Sequence, residues 1–197
     1  MIYKRIIVYT VCLIFCYALF VSCGNNQSDT SSVDLQTSEF VYHKDLLGCM
    51  GLKSDKFVSD YSVLGSDYFT DIYVSGSDAV IVTTDEQRDN LIKLNNDRED
   101  VVIKKFLSEN SNYHYEKSED NNSITFYFDE QLSNEIFARL FYNVICGNQM
   151  NHVLNNDSSY SIYVKFVNCH TQKVVAEGYM PGDKIQINKE SWAKSYE

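Results

Sequence analysis

Ser123-Ile124-Thr125-Phe126-Tyr127-Phe128 repeats a large apolar residue at every second position. Successive side chains of a strand point to opposite faces, so Ile124, Phe126 and Phe128 would share one face, and the stretch predicts a half-buried β-strand. The polar residues 118–122 before it are typical of a turn, and residues 113–116 have the composition of a partner strand. We therefore predict a β-hairpin over about residues 113–128.

Two further hairpins are predicted on either side of this one. The first covers about residues 68–84, where two strand-like runs rich in Val, Ile and Tyr enclose the turn signal Ser75-Gly76-Ser77-Asp78. The second covers about residues 160–187, with an alternating strand at 160–167, a turn at 168–172 and returning segments at 173–179 and 184–187.

Helical periodicity appears between the hairpins. A helix over about residues 132–154 is predicted from a broad apolar stripe with spacings of three and four, formed by Ile136, Phe137, Leu140, Phe141, Val144 and Ile145. Gly147 within it predicts a kink or an early end. A second helix is predicted over about residues 85–108, and the polar run Asn95-Asn96-Asp97 favours a break in its middle.

Hairpins that alternate with helices predict an α+β fold, in which helices pack on one face of a mostly antiparallel sheet. The other face of the sheet is then solvated or covers a partner. Tyr127 and Tyr163 would lie on that face, opposite the side of Phe126 and Ile162, and form a candidate binding face, since exposed aromatic rings bind proteins and sugars well. The alternative is that these rings pack under loops or beside the core.

The N-terminus has a different character. Lys4 and Arg5 precede an uncharged, mostly apolar run at residues 6–21, and polar residues follow from Gly24. This run is shorter than the roughly 20 residues that a membrane-spanning helix needs. Its length and its basic flank are typical of the apolar segment of a signal peptide.

Val21-Ser22-Cys23-Gly24 resembles the lipobox of bacterial lipoproteins, because a small residue precedes the cysteine and an aliphatic one precedes that. Phe20 departs from the usual leucine. The resemblance covers residues 1–24 and implies a signal peptide at 1–22, a diacylglyceryl group on Cys23, and an anchor on the extracytoplasmic side of a cell membrane. An ordinary cleaved signal peptide and an uncleaved anchor are the alternatives.

The rest of the chain divides into a tether and a domain. Residues 23–39 contain few apolar side chains and predict a flexible tether, and residues 40–197 have the length of a single α+β domain. The strand, turn and strand of residues 160–179 carry Asn168-x-x-Thr171-x-x-Val174. This hairpin is similar to the C-terminal hairpin of small bacterial envelope lipoproteins with no assigned function.

The charge of the chain narrows the choice of partners. The formal net charge is −10, and removal of residues 1–22 takes away Lys4 and Arg5 and no acidic residue, which leaves −12. An acidic balance opposes binding to nucleic acid, anionic lipid and anionic wall polymer. The partners predicted are therefore the membrane, through lipid on Cys23, and a protein or a glycan.

Residues with catalytic or metal-binding chemistry do not show a recognised spacing. The histidines form no HExxH pattern, and Cys169-His170 has no second ligand pair at zinc spacing. A disulfide between Cys146 and Cys169 is conceivable, and the alternative is that the thiols of Cys49, Cys146 and Cys169 are apolar core groups. We predict no cofactor, no metal and no catalytic set.

The acidic residues offer one further chemistry. Glu119-Asp120 and the group Asp97, Glu99 and Asp100 could supply the paired carboxylates of a glycoside hydrolase, although turns and helix starts are common places for acids. The sequence favours a membrane-anchored envelope lipoprotein with a non-enzymatic binding role. A surface hydrolase and an inhibitor or immunity-type protein that acts on an envelope enzyme are the alternatives.

Overall fold

The computed structural model describes residues 36–109, 112–130, 141–157 and 159–197. The predicted signal peptide, the predicted lipid-attachment residue Cys23 and most of the predicted tether lie outside these residues. Within them, two β-sheets with helices packed against them form the α+β fold that the sequence predicts. None of the helices in these ranges is both long and apolar enough to cross a membrane.

The first sheet has three antiparallel strands in the order β1 (Ser38–Tyr42), β3 (Asp78–Thr83) and β2 (Asp71–Ser75). Strands β2 and β3 confirm the hairpin predicted at 68–84. Strand β1 was not predicted, and it begins inside the predicted tether. Its Phe40 and Tyr42 are buried at alternate positions, which explains why this short segment joins the sheet.

The second sheet has the order β4 (His114–Lys117), β5 (Ser123–Phe128), β6 (Ile162–Asn168) and β7 (Val174–Met180). The β4–β5 and β6–β7 hairpins are antiparallel as predicted, but β5 and β6 pair in parallel. A parallel pair needs a crossover connection, and the segment between β5 and β6 includes a helix that provides it. The predicted strand at 184–187 is wrong, since β7 ends at Met180.

Five α-helices lie in the described ranges, and we number them α1 (Lys44–Cys49), α2 (Ser54–Tyr61), α3 (Asp85–Glu109), α4 (Gly147–Leu154) and α5 (Lys189–Tyr196). Helix α3 confirms the helix predicted at 85–108, but the predicted break is wrong. The side chain of Asn95 donates to Asn151 of α4 at 2.9 Å, and Asn151 donates to Asn96 at 2.9 Å. These amides bind a neighbouring helix instead of competing for their own backbone.

The helix predicted at 132–154 is described from residue 141 onward; residues 131–140, with part of its apolar stripe, lie outside the described ranges. Phe141–Cys146 form a π-helical segment that passes directly into α4 at Gly147. The change of helix geometry thus falls where the sequence predicts a kink. A Cβ atom on Gly147 would lie 4.0 Å from the carbonyl oxygen of Asn95, so α3 and α4 approach closely here.

The short helices α2 and α5 were not predicted, whereas α1 lies in residues 44–52, whose sequence allows a short helix that Gly48 and Gly51 weaken. Helix α5 begins with a capping box, in which the Asn188 side chain accepts from the backbone N–H of Ser191 and the Ser191 hydroxyl accepts from the backbone N–H of Asn188. Each of these hydrogen bonds supplies an acceptor to a backbone N–H group at the helix start that has no acceptor within the helix. The buried side chains of this helix are Trp192 and Ser195.

The helices and the two sheets enclose two hydrophobic cores, one against each sheet. The first lies against the three-stranded sheet and includes Phe40, Tyr42, Leu46, Phe57, Ile81 and Leu154. The second lies against the four-stranded sheet and includes Ile124, Phe126, Val144, Val164, Phe166 and Trp192. Helix α3 contributes Leu91 to the first core and Ile103 to the second. It therefore connects the two.

Candidate functional site

The outer face of the four-stranded sheet carries the predicted binding residues. Along β5 and β6 the side chains of Ile124, Phe126 and Val164 are buried, whereas Tyr127 and Tyr163 are only partly buried. Tyr127 and Tyr163 therefore share the face opposite the second core, as predicted. They lie at opposite ends of it, because Tyr163 is aligned with Ser123 and Tyr127 with Val167. Four positions along a strand correspond to about 13 Å.

The two tyrosines have different neighbours. The ring of Tyr127 stacks on His114 with a centroid distance of 4.2 Å, and its hydroxyl donates to Glu116 at 3.2 Å. The ring of Tyr163 meets Tyr179 of β7 at 5.2 Å and an angle of 59°. A hydrogen bond to Glu177, partial desolvation and the Glu177 charge raise the pKa of Tyr163 to about 12, so its hydroxyl keeps its proton.

A polar cleft of about 750 Å³ opens beside Tyr163 and Tyr179, at the end where β5 and β6 begin. Hydroxyl, amide, carboxylate and imidazole groups surround it, contributed by Ser118, Asp120, Asn122, Ser123, His152, Asp157, Ser159, Ser161, Tyr163 and Tyr179. Tyr179 is 55% exposed and offers an uncovered ring. Of the two residues predicted for a binding face, Tyr163 belongs to this lining and Tyr127 does not, whereas Tyr179 was not among the predicted site residues.

A hydrogen-bonded pair, His152 and Asp157, forms one wall of the cleft. The Nδ1 atom of His152 lies 2.6 Å from a carboxylate oxygen of Asp157, and its Nε2 atom lies 3.0 Å from the carbonyl oxygen of Asn121. The carbonyl oxygen of Asn121 is an acceptor, so Nε2 of His152 donates to it, and Nδ1 shares a proton with the Asp157 carboxyl group. The side chain of His152 is only 6% exposed, whereas that of Asp157 is 46% exposed and faces the cleft opening.

Asp120 forms another wall and closes a turn. Its carboxylate accepts from the Ser118 hydroxyl at 2.6 Å and from the backbone and side-chain nitrogens of Asn122 at 3.1 and 3.0 Å. These hydrogen bonds, led by that of Ser118, lower the pKa of Asp120 to about 2. A carboxyl of this kind is ionised at neutral pH and is a poor proton donor.

The acidic candidates Asp97, Glu99 and Asp100 all have lysine partners. Glu99 is buried and accepts from the Tyr115 hydroxyl at 2.5 Å and from Lys117 at 2.6 Å. Asp97 and Asp100 form surface ion pairs with lysines of the same helix. Each of these carboxylates therefore binds a lysine within the fold.

A second cluster lies at the opposite end of the same strands. Asp129 follows β5 and Cys169-His170 follow β6, and the atoms of these three side chains that could hold a metal ion all lie within 4.8 Å of one another. Imidazole Nε2 of His170 is 3.5 Å from an Asp129 oxygen, and the Tyr113 hydroxyl donates to the other oxygen at 2.5 Å. Asp129 carried no sequence signal, since only parallel pairing brings it beside Cys169.

The three cysteines of the described domain carry free thiols. Cys49, Cys146 and Cys169 are all free, so the conceivable Cys146–Cys169 disulfide is not formed. Burial and the neighbouring Cys49 raise the pKa of Cys146 in the first core. Partial burial, followed by the Asp129 charge, raises the pKa of Cys169, which keeps its free thiol protonated and weakly nucleophilic.

Comparison of the chain with protein-family models, with curated proteins and with solved structures finds no match.

Proposed function

We propose that this chain is an envelope lipoprotein, held on the extracytoplasmic side of a cell membrane by lipid on Cys23, whose domain binds a neutral saccharide without catalysis. The cleft beside Tyr163 and Tyr179 carries the binding proposal. It combines an exposed aromatic ring with a wall of hydroxyl, amide and carboxylate groups.

The chemistry of the cleft fits a hydroxyl-rich ligand. Sugar hydroxyls both donate and accept, and they match the serine hydroxyls, the Asn122 amide and the Asp157 carboxylate of the lining. The apolar face of a sugar ring can pack on Tyr179, whose ring is large and already held against Tyr163. The cavity of about 750 Å³ also lies within the range of about 300–1,000 Å³ that small-molecule sites occupy.

The charges of the cleft and of the chain favour a neutral ligand. Asp120, whose pKa is lowered to about 2, contributes a negative charge to the lining, and a second carboxyl group, Asp157, lies beside it in the cleft wall. The chain as a whole carries a net charge of −10. An anionic glycan would meet electrostatic repulsion on approach and in the cleft.

The low pKa of the Asp120 carboxyl group in the cleft favours binding over hydrolysis. A glycoside hydrolase needs a carboxylic acid with a raised pKa to protonate the leaving oxygen. The pKa of Asp120 is instead lowered to about 2, and Asp157 faces the buried ring of His152.

A matched pair of tyrosine variants tests the saccharide proposal. We expect the full chain in detergent to bind neutral oligosaccharides on a glycan array, and Tyr179→Ala to weaken that binding by about 30-fold, the effect of losing an aromatic side chain worth about 2 kcal/mol. Tyr196→Ala removes a similarly exposed ring on α5, outside the cleft lining, and should leave the affinity unchanged in calorimetry. Equal affinities for both variants, or binding of anionic glycans alone, would contradict the proposal.

The anchor has its own test. In cells fed a labelled fatty acid, the wild-type chain should incorporate label and fractionate with membranes, whereas Cys23→Ser should incorporate none, because the thiol that carries the lipid is gone. Cys49→Ser removes a thiol of the folded domain and is the control. Label that persists in Cys23→Ser would rule out lipidation at this residue and would leave the saccharide proposal untouched.

A further inference from the structure

The second cluster, formed by Asp129, Cys169 and His170, has a donor set that the saccharide proposal does not use. We propose that these three side chains bind a zinc-class divalent ion, with a water molecule as the fourth ligand. The site is separate from the cleft, because the cleft lies where β5 and β6 begin and the cluster lies where they end.

Parallel pairing creates the cluster. Phe128 and Asn168, the last residues of β5 and β6, are aligned, and the backbone N–H of Cys169 donates to the carbonyl oxygen of Phe128 at 2.8 Å. Asp129 and Cys169 therefore leave the sheet side by side, and His170 follows in the turn. The carboxyl ends of neighbouring parallel strands are the usual place for ligand sites in open sheets.

The distances suit a tetrahedral ion. Zinc bonds of about 2.0 Å to nitrogen or oxygen and 2.3 Å to sulfur place tetrahedral ligands about 3.3–3.5 Å apart. The separation between His170 and Asp129 is 3.5 Å, and every pair in the cluster is within 4.8 Å. Small side-chain rotations would bring all three onto one ion.

The donor types select the ion. A thiolate, an imidazole and a carboxylate form a mixed set of sulfur, nitrogen and oxygen ligands that zinc accepts and that calcium and magnesium, which prefer oxygen, do not. The thiolate and the carboxylate would balance the double charge of the ion. Binding would transfer the Cys169 proton to the solvent as the sulfur–metal bond forms.

The surrounding structure holds the ligands in place. Asn168, which is fully buried, accepts from the backbone N–H of His170 at 2.9 Å and donates to Ser195 of α5 at 2.8 Å. The Tyr113 hydroxyl orients the Asp129 carboxylate. Such supporting hydrogen bonds fix ligand geometry in metal sites.

The cluster is also open to solvent on one side. The side chain of His170 is 49% exposed, whereas that of Asp129 is 14% exposed. An ion can therefore reach the site, and a water molecule can complete its coordination. Three protein ligands with one open position is the arrangement of zinc sites that remain accessible to other ligands.

Metal titration of the full chain in detergent tests the proposal. We expect calorimetry to show one zinc ion bound per chain, and cobalt to give the charge-transfer absorption of a thiolate ligand and the strong visible bands of four-coordinate cobalt. Asp129→Asn, Cys169→Ser and His170→Gln should each weaken zinc binding by more than about 100-fold. Tyr113→Phe removes only a supporting hydrogen bond and should weaken it by about 10–100-fold.

Matched variants and a direct measurement keep the test decisive. Cys49→Ser and His114→Gln remove the same groups elsewhere in the domain and should leave the affinity unchanged. If a ligand variant fails to fold, zinc X-ray absorption of the wild type should still show one sulfur neighbour at about 2.3 Å. Absence of zinc binding, a first shell without sulfur, or full affinity in folded ligand variants would each overturn the proposal. Saccharide binding is measured separately and would be unaffected.

Discussion

At the scale of single residues, Asp120 illustrates how one carboxylate closes the β4–β5 turn. It accepts hydrogen bonds from Ser118 and Asn122 at either side of it, and Asn121 between them has a positive φ of 57°, a conformation that asparagine tolerates better than most residues. Asp120 therefore fixes both the hairpin and one wall of the saccharide cleft.

The pKa of Asp120 predicts a pH-dependent contribution to stability. Its folded value of about 2 lies below the ordinary value of 3.8, so folding favours the ionised form. The stabilisation is complete above about pH 4 and disappears as the pH falls through about 2. Urea unfolding at a series of pH values should show Asp120→Asn less stable than wild type at neutral pH, with the difference shrinking below about pH 4.

Glu119→Gln provides the control, since it removes one negative charge from the adjacent exposed position of the same turn. A stability difference between wild type and Asp120→Asn that stays constant down to about pH 2 would contradict this account. An NMR titration of the Asp120 carboxyl should independently give a pKa of about 2.

At the scale of elements, the contact between α3 and α4 depends on an amide network. Asn151 of α4 accepts from Asn95 and donates to Asn96 on α3. Asn95 is only 4% exposed, so its side-chain amide has no access to bulk water. The same run of polar residues that predicts a break in the helix is therefore what joins it to its neighbour.

We expect Asn151→Ala to lower the free energy of unfolding by about 1–3 kcal/mol, because the buried Asn95 amide loses its acceptor. Asn96→Ala is the matched control, and it should cost less than about 1 kcal/mol, since Asn96 is exposed and water can replace it. Chemical denaturation monitored by circular dichroism measures both. Equal losses for the two variants would show that burial of Asn95 is not the cause.

At the scale of the whole domain, two cores share one long helix. Helix α3 passes from the first core at Leu91 to the second at Ile103. The segment 141–154 does the same in the opposite direction, with Ile145 in the second core and Leu154 in the first. Loss of either core would expose one end of both segments, so we expect the two halves to unfold together.

The single tryptophan of the chain allows this to be measured. Trp192 belongs to the second core, whereas Phe57 is fully buried in the first. Phe57→Ala should cost about 3–5 kcal/mol, and the Trp192 fluorescence transition should move to lower denaturant by the same amount as the circular dichroism transition. Phe126→Ala in the second core is the positive control. A Trp192 transition unchanged by Phe57→Ala would show that the cores unfold independently.

The sequence by itself determined the α+β class, three hairpins and a helix over about residues 85–108, because alternation and helical periodicity are local properties of the chain. It also placed Tyr127 and Tyr163 on one sheet face. Only the tertiary structure decided that β1 joins the first sheet, that β5 and β6 are parallel, and that Asp129 meets Cys169 and His170. These pairings depend on which segments meet across long stretches of chain, and periodicity within a segment does not indicate which other segment it will pair with.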